Sequence, residues 1–451
     1  MATVLTHYSN APDGVHKRPR IHWSSHERSG KMRGMKRFAS ALLLSLAVTA
    51  SAATPETAAQ AVNVFGLDLH RQMPKTGNVC LSPYSIQSAL GMTYFGASGV
   101  TQEEIARVLH LPMNKAALGE SFAALNEALE VARENSVKQV EQSKKYGGPS
   151  EALKLHVANR LFGQKGYEFR ETFLSGVKSH FGAPMELMNF IKDHDGEREE
   201  INHWVEKQTQ KRIRDLIPEG GLSADTRLVL VNALYFKAAW LDDFNLQATA
   251  PKPFHVNGAK STVQVPTMGK QEHLRYLKRH GFQAVTLPYA GNDLHFLLIV
   301  PDDINGVSSV EKKLAPETLL ECAKAEYREI ILHLPKFKIT PPTVPLSEVL
   351  QKMGMMTAFN KPRGSADFDA MAPKKPDDYL CISEVFHKTF IELDEKGTEA
   401  AAATAVVMSR YVAIVEKPKP ITLKADRPFL FAIQHAASGA CLFLGRVSDP
   451  R

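Results

Sequence analysis

Hydrolytic chemistry would need a nucleophile, a base and a group to orient the base, and the chain offers 17 histidines as bases. They are scattered. No His-Glu-x-x-His occurs, so no zinc-peptidase helix is indicated, and His26-Glu27 falls in the leader. No phosphate-binding loop, Gly-x-Gly-x-x-Gly fingerprint or Gly-x-Ser-x-Gly turn appears. Gly96-Ala97-Ser98-Gly99 matches the last only loosely and reads as a helix-ending loop. A Ser/His/Asp set gathered from distant positions stays open on sequence alone. Cys80, Cys322, Cys381 and Cys441 form no Cys-x-x-Cys pair, so no metal is expected. Their spacing names no disulfide, and buried free thiols are the alternative.

One segment carries an internal conflict. Residues 395–411 read Glu-Lys-Gly-Thr-Glu-Ala-Ala-Ala-Ala-Thr-Ala-Val-Val-Met-Ser-Arg-Tyr. The alanines favour helix, whereas Ala405-Val406-Val407-Met408 leans to strand. Read as a strand, one face is Thr398, Ala400, Ala402, Thr404, Val406 and Met408, with no charge and no large side chain before Met408. That face could slide over a packed core. The other face carries only Glu399 as a charge up to Ser409. Pro418 and Pro420 downstream oppose helix and favour an extended connection. On its own, such a segment is more often a helix followed by a loop.

The elements that would position this segment change in texture along the 451 residues. Helical periodicity covers 55–74, Ser82-Pro83 opens a helix over 84–95, and Thr101-x-x-Glu104 reads as a capping box before Ile105. Residues 119–133 read as helix, and 135–151, with Gly147-Gly148-Pro149, as a loop or frayed helix end. Strands fit 153–162, 282–288, 294–300 and 329–340; helices fit 169–180, 195–209, 308–324 and 346–354. Residues 227–236 are nearly all apolar, as in a strand buried on both faces. Residues 429–434 and 441–447 make a hairpin pattern. Helices early, strands late and no regular βα alternation indicate an α+β fold.

The composition, 44% hydrophobic and 23% charged, is that of a globular protein. The net charge of +7 is concentrated in residues 1–53, which hold eight Lys/Arg against two acids. The body is near neutral, so no nucleic-acid partner is expected. Met35-Lys36-Arg37, the apolar run Ala41–Val48 and the small residues to Ala53 have the form of a secretory signal peptide, cleaved after Ala52 or Ala53. The expected organisation is a polar leader over 1–34, not translated if synthesis starts at Met32 or Met35, then a signal peptide over 35–52 and one domain over 53–451. A secreted, extracellular monomer with no membrane partner is the expectation.

From about residue 57 onward the chain resembles the serpin family of serine-protease inhibitors. Asn78-Val-Cys-Leu-Ser82-Pro83-Tyr-Ser85-Ile86 is similar to one family segment. Thr226–Trp240 is similar to the central strand, and Asp394-Glu395-Lys396-Gly397-Thr398-Glu399-Ala400 to the reactive-loop hinge. Leu423–Ile433 and Phe443–Val447 resemble the C-terminal signature. The resemblance implies three β-sheets, about nine helices and an exposed reactive-centre loop at about 395–420. It implies an inhibitor, not an enzyme: a protease cleaves the bait bond, forms an acyl ester, and is trapped as the loop inserts into the main sheet.

The family's count of seventeen from Glu395 puts the reactive bond at Tyr411–Val412, which suits chymotrypsin-like proteases. A one-residue shift would make Arg410 the bait for trypsin-like enzymes, and Met408 is a weaker third choice. The hinge would comprise Glu395, Gly397, Thr398, Glu399, Ala400, Ala401, Ala402 and Ala403. Ser82, Ser85, Asn232 and His387 match the polar cluster under the opening sheet, and Trp240 the aromatic at its top. No cofactor is implied, although Lys138, Lys144, Lys145 and Lys154 lie near where some relatives bind a sulfated glycosaminoglycan. A non-inhibitory carrier or chaperone on the same fold is the alternative.

Overall fold

The computed structural model describes residues 54–149, 151–259, 261–375, 378–398 and 419–451. The helices are α1 (Pro55–Gln72), α2 (Pro83–Gly96), α3 (Gly99–Val108), α4 (Lys115–Ser143), α5 (Glu171–Phe181), α6 (Phe190–Gln208), α7 (Val307–Lys313), α8 (Pro316–Ala323) and α9 (Ser347–Lys352). The strands are β1 (Val79–Leu81), β2 (Lys154–Gln164), β3 (Glu186–Met188), β4 (Leu228–Ala239), β5 (Ala250–Ala259), β6 (Thr262–Arg279), β7 (Phe282–Pro288) and β8 (Leu294–Pro301). They continue as β9 (Tyr327–Pro335), β10 (Phe337–Ile339), β11 (Val344–Pro345), β12 (Ile382–Asp394), β13 (Gly397–Thr398), β14 (Ile421–Lys424), β15 (Phe429–His435) and β16 (Cys441–Val447).

The main sheet runs β10-β12-β13-β4-β2-β3. Its centre is β4, where Leu228, Leu230, Leu234 and Phe236 enter the principal core while Val229, Val231 and Ala233 join a second cluster with Ile201 and Val205 of α6. Burial on both faces is why that run is continuously apolar. The other strands follow β1-β16-β15-β8-β7-β6-β9-β14, with β5 paired to β6. Because the 18-residue β6 pairs β5 at its start, β9 in its middle and β7 at its end, the second and third sheets share hydrogen bonding.

Several local expectations are corrected. Ser98, not Thr101, is the residue that precedes α3, and Thr101 lies inside the helix. Thr101 Oγ1 accepts from Asp367 N (3.1 Å), and Glu104 accepts from Met356 N and Thr357 N. The residues answer to tertiary partners with the same spacing a cap would use. Residues 135–143 continue α4 rather than forming a loop. The span 308–324 is two helices, because Pro316 begins α8. The span 329–340 splits across two sheets as β9 and β10. β5, β6 and β12 had no counterpart in the sequence reading.

Candidate functional site

β12 and β4 run parallel and pair from Ile382/Leu228 to Phe390/Tyr235. Above that point β13 lies between them, antiparallel to both, with Thr398 opposite Ala238 on one side and Leu393 on the other. A parallel pair cannot be joined by a tight turn, but an antiparallel third strand can be fed from the end of one of them. Here the feed is the Asp394–Gly397 turn. Lys396 N donates to Asp394 Oδ1 at 2.8 Å. Gly397 has φ +150°, and a Cβ there would sit 2.1 Å from the Ala238 carbonyl oxygen. Only glycine lets the backbone pass so close.

Thr398 is fully buried, its hydroxyl 2.7 Å from that of Tyr289. Tyr289 stacks on Trp240 at 4.7 Å, and Trp240 Nε1 donates to Asp394 O at 3.0 Å. Backbone bonds from Trp240 N to Lys396 O and from Phe244 N to Glu395 O, each 2.8 Å, hold the turn. The Glu395 carboxylate accepts from Lys336 Nζ and from Thr249 Oγ1, both at 2.8 Å. Burial acts to raise its pKa, but these donors outweigh it and hold the carboxyl below its ordinary value. Lys396 pairs with Asp243 at 3.0 Å. Of the face inferred to be uncharged, Thr398 is the one described member, and it points inward.

Below β13 lies a buried polar row. Ser82, Ser85, Asn232 and His387 belong to one network, and the sequence reading missed its fifth member, Asn159. The register aligns Asn159 of β2, Asn232 of β4 and His387 of β12 across three strands. His387 Nε2 accepts from Ser82 N at 3.2 Å, so Nδ1 carries the proton and donates to Asn232 Oδ1. Burial lowers the His387 pKa to about 3, keeping the ring neutral. Asn232 Nδ2 donates to Ser85 Oγ and Asn159 Oδ1, each at 2.6 Å, and Asn159 Nδ2 donates to Ser85 O at 2.9 Å. The Ser82 hydroxyl caps α2 by accepting from Ser85 N. The signal for Asn159 was an amide at a buried position of an otherwise alternating strand.

Glu399, Ala400, Ala401, Ala402, Ala403, Arg410, Tyr411 and Val412 lie outside the described residues. Lys138 lies on α4, Lys144 and Lys145 in the 3-10 turn that follows, and Lys154 at the start of β2, all exposed. All four cysteines are free, Cys381 half-buried and the others buried. Among the described residues no cluster of ligands could hold a metal, and no helix is long and apolar enough to cross a membrane.

A sequence profile described as "Serpin (serine protease inhibitor)" matches residues 60–450. Human Serpin B10 is 33% identical over 407 residues, covering 88% of this chain and all of the relative. Leukocyte elastase inhibitor of Xenopus laevis is 36% identical over 405 residues, with the same coverage. The crystal structure of Serpin48 of Tenebrio molitor superposes with a TM-score of 0.69 at 30% identity, over 88% of this chain and 99% of the other. The chain belongs to the serpin family. Its class is that of serine protease inhibitors, not enzymes.

Proposed function

We propose that this serpin is a secreted suicide inhibitor of chymotrypsin-like proteases, with Tyr411–Val412 as its reactive bond. The protease serine Oγ attacks the Tyr411 carbonyl carbon, the bond to Val412 breaks, and Val412 leaves as a free amine that takes up the proton. Tyr411 remains as an ester on the protease. The observation that carries the reading is β13, two residues of a strand already seated between β4 and β12.

Extending that register by six residues sets Thr404 opposite both Asn232 and His387. Insertion therefore has to break the His387–Asn232 hydrogen bond, and the Thr404 hydroxyl is of the right type to replace it. A strand of fourteen residues, from the already seated Thr398 to Tyr411, spans roughly 45 Å at about 3.3 Å each. A protease esterified to Tyr411 would be carried that far. The aromatic side chain of Tyr411 suits a hydrophobic specificity pocket, and the named elastase-inhibitor relative is compatible with such targets. Secretion rests on the signal-like stretch over 35–52.

The test is to mix mature protein separately with chymotrypsin and trypsin, look for an SDS-stable complex, and sequence the released peptide. A fragment starting at Val412 from the chymotrypsin complex supports the proposal. One starting at Tyr411 transfers the bait to Arg410. Cleavage by either enzyme without any stable complex refutes trapping. An exported protein starting at Ala53 or Thr54 supports the signal peptide, and an uncleaved chain retained in the cell refutes it.

A further inference from the structure

A cavity of about 330 Å³ lies where β5, β6, β9 and β14 meet and shares no lining residue with the polar network under the main sheet. Its basic groups come from three strands. Lys424 of β14 stands beside His333 of β9 in the pairing register. Lys252 of β5 reaches the same ring, its Nζ 2.8 Å from His333 Nδ1. On the far side of His333 the paired position is Gly269, which places no side chain against the ring.

An ammonium has no acceptor, so Lys252 donates to Nδ1 and the imidazole presents Nε2–H as a donor. Burial and then the two lysines hold the His333 pKa below its ordinary value, in keeping with a neutral ring. Neither ammonium has a carboxylate within ion-pair reach among the described residues, and the one acid of the lining, Asp426, pairs with Arg427 at 2.7 Å. The cavity thus offers donors and uncompensated positive charge. Exposed Pro253 adds an apolar wall, while Phe254 and Ala425 of the lining are buried.

We propose that this cavity is a binding site for a small organic oxyanion, with a phosphate or carboxylate head between Lys252 and Lys424 and an apolar body against Pro253. The volume lies at the small end of ligand pockets, and a few convergent polar groups on an apolar wall are the usual construction of one. The head group would tie β14 to β5 and β9. β14 has only four residues, pairs among the described residues with β9 alone, and is the strand that residues 399–420 lead into. An occupied site would therefore hold the exit strand of the reactive loop in place. This inference does not depend on which bond is the bait.

The experiment uses the whole mature chain and phenyl phosphate as the probe, with titration calorimetry at low salt and hydrogen exchange of the β14 amides. Phenyl phosphate is expected to saturate a single site and slow exchange in β14. Lys252→Gln and Lys424→Gln are each expected to weaken binding roughly tenfold, since a charge-assisted bond is lost, and Lys424→Arg should retain most of it. Phenol should not bind, and inorganic phosphate should bind more weakly than the ester. Absence of saturable binding overturns the proposal. So does affinity that is unchanged in both Gln variants. Equal affinity for inorganic phosphate overturns the role of the apolar wall. All three outcomes are independent of whether the protein traps a protease.

Discussion

Thr398→Arg is the most direct perturbation of the loop-insertion mechanism. The parent side chain has no exposed surface and bonds to the Tyr289 hydroxyl at 2.7 Å. An arginine there must either bury its guanidinium against the Trp240–Tyr289 stack or force β13 out from between β4 and β12. Among the described residues the side-chain hydrogen-bond partner of Thr398 is the Tyr289 hydroxyl, not a carboxylate. Burying an unpaired charge costs several kcal/mol after relaxation. If about 3 kcal/mol of this enters the barrier to insertion, insertion slows by a factor of roughly 100, because each 1.4 kcal/mol is tenfold in rate.

An acyl-enzyme is either trapped by insertion or released by hydrolysis, so the number of inhibitors consumed per protease trapped is set by the ratio of the two rates. Where the parent inserts about tenfold faster than it hydrolyses, the variant hydrolyses about tenfold faster than it inserts. Consumption then rises from near one to roughly ten inhibitors per chymotrypsin. Titration of residual protease activity measures that number, and gel electrophoresis shows cleaved inhibitor in place of complex. Thr398→Ser keeps the hydroxyl and should behave as the parent. Near-parental consumption in Thr398→Arg would refute the reasoning.

Three further outcomes follow from the same contacts. Lys336→Ala removes a donor from the buried Glu395 carboxylate and should lower stability by about 1–3 kcal/mol, read by urea unfolding at neutral pH. Because the folded pKa of Glu395 is depressed, its contribution is present above its unfolded pKa of about 4.3 and is lost as pH falls toward the folded value; Lys336→Ala should flatten that part of the profile. His70, His295 and His387 have folded pKa values of about 3, 4 and 3, all below the usual 6.5, so the unfolded chain binds more protons between those limits and stability should fall as pH drops below about 6.5. His387→Gln should reduce that slope, and an unchanged slope would contradict the neutral-ring assignment. Gly397→Ala places a Cβ 2.1 Å from a backbone oxygen at φ +150° and should unseat β13, seen as lost exchange protection at Thr398 together with a lower Tm.

Legibility followed the range of the forces involved. The start of α2 was readable because Ser82 and Pro83 act within one turn, as an accepting cap and a preset φ. β4 was readable because burial on both faces leaves a continuous apolar run. Thr101 and Glu104 misled because their hydrogen bonds go to residues 365–367 and 356–357, a distance no local pattern reports. β12 hid because one face carries both Thr389 and His387 among apolar residues, and β6 because it changes partners along its length. Asn159 shows in the sequence only as an amide within an alternating strand, and its pairing with Asn232 is what makes it a site residue.

The amino-acid order alone decided which side of the hinge carries no charge, since alternation along a strand is a property of the backbone and holds wherever the strand lies. It decided the glycine at 397 and the apolar run of β4 as well. Only the folded chain decided that β4 and β12, some 150 residues apart, lie side by side, part above Phe390 and admit Thr398 between them. Strand pairing is made by peptide groups that every residue shares, so the partner of a strand is selected by the packing of both its faces and not by any motif within it.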